Sequence, residues 1–152
     1  MKIALVGYGK MGHMIEQCAK RAGHEVVATI DVYAQDASVK VSENDSGAVA
    51  GSVKSSGAEG VIEFTHPSSV IENIKAILPL QLPLVVGTTG WNDRYKEIAE
   101  YAKSVGGTVM TAGNFSIGVN MFYKIVEEAA RIMHDYKDYD VATWEMHHNQ
   151  KA

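Results

Sequence analysis

The sequence predicts an α/β fold, an open, doubly wound parallel sheet with helices on both faces. Three observations predict it. Short continuous apolar runs alternate with stretches of helical period along most of the chain. A glycine-rich turn joins the first apolar run to the first helical stretch. The 152 residues, 46% hydrophobic and 21% charged, have the composition of a soluble globular domain.

The elements follow in order. Ile3-Ala4-Leu5-Val6 is an apolar run of the kind buried on both faces, so it predicts a strand. Met11, Met14, Ile15, Cys18, Ala19 and Ala22 then fall on one face of a helix, which Gly23 ends. On this pattern Met11, Met14 and Cys18 are core residues. Val26–Ile30 predicts a second strand, closed by Asp31. From Tyr33 to Gly57 Ser, Asp, Asn and Gly dominate, which predicts loop with short elements. Gly60–Phe64 predicts a third strand, and Val70, Ile71, Ile74, Ile77 and Leu78 a helix after Pro67. Leu84-Val85-Val86 predicts a fourth strand, Tyr95, Ile98, Ala99 and Ala102 a helix ending near Gly106, and Thr108–Thr111 a fifth strand. A longer helix carries Val119, Phe122, Ile125, Val126, Ala129, Ile132 and Met133 on one stripe. Near Lys137 the pattern changes, and Tyr139–Glu145 predicts a strand that opens something new. The expected organisation is a dinucleotide-binding domain over 1–136 and the start of a second, substrate and oligomerisation domain over 137–152.

Composition excludes several classes. One cysteine cannot make a disulfide scaffold. A net charge of −4 with no basic run argues against nucleic acid as a partner. No stretch approaches the roughly 18 apolar residues of a membrane span, and Ile3–Val6 is too short for a signal peptide. The sequence therefore reads as a cytoplasmic protein with neither a nucleic-acid nor a membrane partner.

Gly7-Tyr8-Gly9-Lys10-Met11-Gly12 is G-x-G-x-x-G, placed directly between a strand and a helix. The first glycine permits a tight turn, the second lets a pyrophosphate approach the backbone, and the third lets helix pack on strand. The helix N-terminus then faces the diphosphate. Gly7, Gly9, Lys10, Met11 and Gly12 are thus candidate cofactor contacts in a Rossmann-type sheet. Asp31 lies at the roughly 20-residue distance where an acid accepts from the ribose hydroxyls. It repels a 2′-phosphate, and Val32-Tyr33-Ala34 supplies no arginine, so NADH is expected over NADPH, with NADPH possible. No metal is expected, because His66, His134, His147 and His148 lack a ligand spacing such as H-x-x-x-H.

Four further segments are Glu63-Phe64-Thr65-His66-Pro67, Gly87-Thr88-Thr89-Gly90, Asn114-Phe115-Ser116-Ile117-Gly118-Val119-Asn120 and Glu145-Met146-His147-His148-Asn149-Gln150-Lys151. In this order and spacing the chain resembles the dihydrodipicolinate reductase family, which serves the diaminopimelate route to lysine. The resemblance implies that Phe64, Thr65 and His66 line the cofactor crevice. It implies that Gly87, Thr88 and Thr89 contact nicotinamide and ribose, with Thr89 also reaching a substrate carboxylate. Ala112, Asn114 and Phe115 are implied beside the nicotinamide amide. His147 is implied as the general acid, His148 as a substrate ligand and Lys151 as a catalytic or carboxylate-binding cation. The chemistry is compatible: hydride delivered to an unsaturated bond leaves negative charge, histidine suits a proton donor near neutral pH, and a dicarboxylate needs cationic partners.

The family's next motif, D-x-P-S-G-T, does not follow Lys151; only Ala152 does. The expectation is a truncated form that keeps dinucleotide binding and has little turnover. The family is a homo-tetramer built through its substrate domain; for this chain, oligomers of no fixed order are expected from the unpaired edge at Tyr139–Glu145. Two rival readings are a non-catalytic NAD(P)-binding module or redox-responsive subunit, and another oxidoreductase on the same cofactor domain.

Overall fold

Alternation along the first strand sets the architecture. In β1 (Lys2–Val6), Ala4 and Val6 point to one face of the sheet, and Ile3 and Leu5 to the other. All four are buried, so both faces must be covered. The computed structural model describes residues 1–144 and 146, in two compact units, Met1–Gly113 and one that begins at Asn114.

In the first unit β1 is followed by α1 (Lys10–Arg21), β2 (Glu25–Asp31), β3 (Val39–Lys40), α2 (Ser46–Ser55), β4 (Gly60–Glu63), α3 (Val70–Ile77), β5 (Leu84–Val86), α4 (Tyr95–Val105) and β6 (Val109–Thr111). The strands form one sheet in the order β3-β2-β1-β4-β5-β6, and every pairing is parallel. The chain winds outward from β1 to β3, then returns to β4 on the other side of β1. That reversal opens a crevice at the carboxyl ends of β1 and β4. The larger core lies between the sheet and α2, α3 and α4, around Val53, Val61, Ile74, Leu84 and Ile98. A smaller core joins the opposite face to α1 through Ile3, Leu5, Tyr8 and Ala19. The expected doubly wound sheet is present.

Three local expectations are corrected. The stretch from Tyr33 to Gly57 holds a sixth strand and a helix. β3 is only a two-residue addition to the end of β2, pairing Ile30 with Val39 and Asp31 with Lys40. α2 buries only Val49 and Val53 among small residues, and starts where Asp45 accepts from the Ala48 N–H at 2.8 Å. Met11, Met14 and Cys18 are exposed, the methionines to 46% and 52%. Gly12 and Ala19 are the buried residues of α1, so the helix rests on the sheet through its smallest side chains and the larger ones flank that seam. Finally, of the strand expected over Tyr139–Glu145, residues 139–144 form none, since no other described segment pairs with them, and Glu145 lies outside the described residues.

The second unit carries α5 (Ile117–Met133), whose first turn explains the Asn114–Asn120 segment. Ser116 caps the helix by accepting from the Val119 N–H, and Asn114 Oδ1 accepts from the Ser116 N–H at 2.8 Å. The Asn120 amide donates back to the carbonyls of Asn114 and Ser116 at 2.9 and 2.8 Å. The predicted stripe is helical, and its members Phe122, Ile125, Val126 and Ile132 are exposed.

Candidate dinucleotide site

The turn after β1 is built by its glycines. Gly7 adopts φ +91°, and a Cβ there would fall 2.0 Å from the Phe64 carbonyl oxygen. A Cβ on Gly12 would fall 2.5 Å from the Gly7 carbonyl oxygen, so this glycine sets how closely α1 approaches the turn. Gly9 differs: nothing lies within 4 Å of where its Cβ would be. The backbone at Gly9 is therefore open to a ligand. Gly9 is also the N-cap of α1, without a side-chain cap and with no acid in the first turn. The helix start thus has no cap or first-turn acid of its own on its N–H groups, which suits a diphosphate.

Asp31 holds this turn from the end of β2. Its Oδ2 accepts from the Tyr8 N–H at 2.6 Å, and its Oδ1 from the Tyr33 and Ala34 N–H groups at 2.7 and 2.8 Å. Burial opposes ionisation here, but the backbone donors of Ala34, Tyr8, Tyr33 and Val32 outweigh it and hold the carboxyl below its usual range. Asp31 is an anion that ties the glycine turn to the β2–β3 loop, a structural task the spacing argument did not include. His13 makes a second tie. Its Nδ1 meets the Gly9 carbonyl and its Nε2 meets the Asp36 carboxylate, each at 2.8 Å. Both partners are acceptors, an arrangement that favours the doubly protonated ring. The Asp36 contact first, then the Gly9 carbonyl, raises its pKa above the usual imidazole value. No sequence pattern points to this role.

Two further loops complete the crevice. Phe64 and Thr65 leave β4, and Gly87 and Thr88 leave β5. A Cβ on Gly87 would lie 1.8 Å from the Phe64 ring, so Gly87 is the space the ring occupies. The Thr65 N–H donates to Thr88 Oγ1 at 2.7 Å, locking the loops together. The buried Trp91 donates from Nε1 to the Thr88 carbonyl at 2.7 Å, and Gly90 turns the chain at φ +86°. No sequence pattern gives Trp91 this role. A cavity of about 310 Å³ lies here, lined by Gly7, Gly9, Asp31, Tyr33, Phe64 and Thr65 among others.

The structure thus brings Gly7, Gly9, Asp31, Phe64 and Thr65 around one cavity, with Thr88 and Gly87 directly behind Thr65 and Phe64. Lys10, Met11 and Thr89 are exposed, and Ala112 is half-buried just after β6. Asn114 and Phe115 belong to the second unit. His147, His148 and Lys151 lie outside the described residues. Among the described residues, no three His, Cys, Asp or Glu groups could together hold a metal, and no helix is long and apolar enough to cross a membrane.

A parallel sheet wound both ways, with a glycine turn and a strand-end acid at its switch point, defines a Rossmann-type dinucleotide-binding fold. Solved structures share that fold. An archaeal hyperthermophilic homoserine dehydrogenase in complex with NADPH matches 72% of this chain and 43% of its own, at a TM-score of 0.54 and 11% identity. A meso-dapdh variant from Clostridium tetani E88, with DAP, matches 84% of this chain and 41% of its own, at 0.55 and 17%. The family model for dihydrodipicolinate reductase, N-terminus, matches residues 1–115, and the chain belongs to that family. Curated relatives named 4-hydroxy-tetrahydrodipicolinate reductase include that of Christiangramia forsetii, 34% identical over 99% of this chain, and that of Cupriavidus necator, 35% identical over 100%. The chain spans 57% of the length of the first and 60% of the second.

Proposed function

We propose that this protein holds NAD(P)H in the crevice at the carboxyl ends of β1 and β4, as the cofactor-binding part of a reductase acting on a cyclic imine dicarboxylate in lysine and diaminopimelate biosynthesis. The observation that carries the reading is the open backbone at Gly9, beside an ionised Asp31, in a chain of the dihydrodipicolinate reductase family. The bound cofactor supplies the hydride. The protein's residues do the rest. Gly7, Gly9, Lys10, Met11 and Gly12 receive the diphosphate at the start of α1. Asp31 faces the adenosine ribose. Phe64, Thr65, Gly87, Thr88 and Thr89 flank the nicotinamide half, and the family resemblance adds Ala112, Asn114 and Phe115.

His147 is proposed as the general acid, giving a proton to the substrate atom that gains negative charge. His148, Lys151 and Thr89 are proposed to hold the substrate carboxylates. The cofactor preference follows from charge: Asp31 remains ionised, and a 2′-phosphate beside it is repelled. NADH is therefore expected to bind more tightly than NADPH, with Asp31→Ser reversing the order. Titration with each nucleotide tests this. Tighter NADPH binding by the unaltered protein overturns the preference, and binding of neither overturns the cofactor reading.

A further inference from the structure

The least explained group in the first unit is Glu63, the last residue of β4. It is 0% exposed, and no ion pair among the described residues includes it. Its Oε1 accepts from the Thr65 hydroxyl. Its Oε2 is buried and has no hydrogen-bond partner. The groups facing the carboxyl are Thr65 from the end of β4, Thr88 from the end of β5 and Asn73 from α3, none of them charged. A carboxylate with an orphan oxygen and no cation costs more in such a site than a neutral acid does.

The position matters because of what the neighbours do. Thr65 is the hub of the crevice wall: its N–H donates to Thr88 Oγ1 at 2.7 Å, and its hydroxyl accepts from Ser69 Oγ at 3.2 Å and from the Asn73 amide at 3.5 Å. Phe64, between Glu63 and Thr65, lies against Gly87. We propose that Glu63 is a positioning residue which, as a neutral carboxylic acid, holds the Thr65 hydroxyl and so keeps the β4–α3 loop tied at Thr65 to Thr88 of the β5–α4 loop, fixing the wall of the dinucleotide crevice. Burial drives its pKa upward, opposed by the polar groups of Thr65, Thr88 and Asn73 that face it, in keeping with this state. On ionisation the buried carboxylate must recruit a donor or water to its unpartnered Oε2, and this draws Thr65 and Thr88 out of their present places. The effect on nucleotide affinity rests on the cofactor reading above; the tie itself does not.

The test is an NMR titration of the unliganded protein, following the Glu63 carboxyl carbon and the Thr65 amide, with NADH affinity measured over the same pH range. Glu63 is expected to titrate above the usual carboxylate range, with the Thr65 amide shifting in the same step and NADH affinity falling about tenfold across it. Glu63→Gln keeps a neutral donor and acceptor, so it should hold the low-pH Thr65 signal and affinity at every pH, while Glu63→Ala loses both throughout. Where the alanine variant does not fold, the unaltered and glutamine proteins alone decide. Titration of Glu63 with the ordinary carboxylates, or a Thr65 amide in Glu63→Gln displaced even at low pH, overturns the proposal. If the amide and carboxyl behave as expected while NADH binds at no pH, the tie stands and the cofactor reading falls.

Discussion

A single methyl group separates the roles of the loop glycines. At Gly7 a Cβ meets the Phe64 carbonyl at 2.0 Å, on a backbone already at positive φ. Gly7→Ala should therefore destabilise the fold by roughly 2–4 kcal/mol, through strain and displacement of the β4 end. At Gly9 the same methyl meets nothing, so Gly9→Ala should keep the fold to within about 1 kcal/mol, the loss of a preferred N-cap residue. It should nevertheless weaken NADH, because the methyl stands where the diphosphate approaches. Urea melts beside nucleotide titrations separate the two, and a Gly9→Ala protein that binds NADH normally would remove Gly9 from the site. The three glycines and Asp31 were legible because backbone geometry constrains them tightly enough to leave a spacing. Glu63, His13 and Trp91 were not. Their roles depend on which oxygen or ring faces them across the fold, and no local pattern encodes that.

At the scale of elements, the β5–α4 loop is held by few contacts. Trp91 donates its indole N–H to the Thr88 carbonyl and packs against Tyr95 at 6.1 Å between ring centroids. Trp91→Phe keeps an aromatic ring and removes the donor, leaving a buried carbonyl unpaired. The expected loss is about 1–2 kcal/mol in a urea melt, with weaker nucleotide binding as Thr88 shifts. An unchanged melt would show the carbonyl finds another donor. Strong apolar period made the other helices and strands legible. It failed for α2 because two valines are its entire buried stripe, and for β3 because two residues make no pattern. Both owe their existence to β2 and the larger core. Tyr139–Trp144 shows the converse, an extended-looking sequence that finds no partner strand among the described residues and forms none.

For the whole molecule, every residue of both core clusters falls within Met1–Gly113. A chain ending at Gly113 should therefore fold alone, with a cooperative thermal transition within a few degrees of that of the 152-residue chain. A non-cooperative melt of the shorter chain would show that residues beyond Gly113 supply part of the core. Along α5 of the second unit, apolar side chains such as Ile117 and Phe122 are exposed, at 79% and 60%. An exposed apolar helix face of that kind favours association.

What the sequence by itself determined is the alternation of strand and helix, the glycine turn and the acid at the end of β2, since period and spacing are local properties of the backbone. The family followed from motif order alone. Tertiary structure alone decided which side of α1 is buried, because Gly12 and Ala19 are the residues small enough to touch the sheet. It alone decided that Asp31 is tied down by three backbone donors and that Glu63 is sealed beneath Thr65 and Thr88. Those facts arise where residues distant in sequence meet at strand ends, and burial and pairing there set charge in ways that residue order does not record.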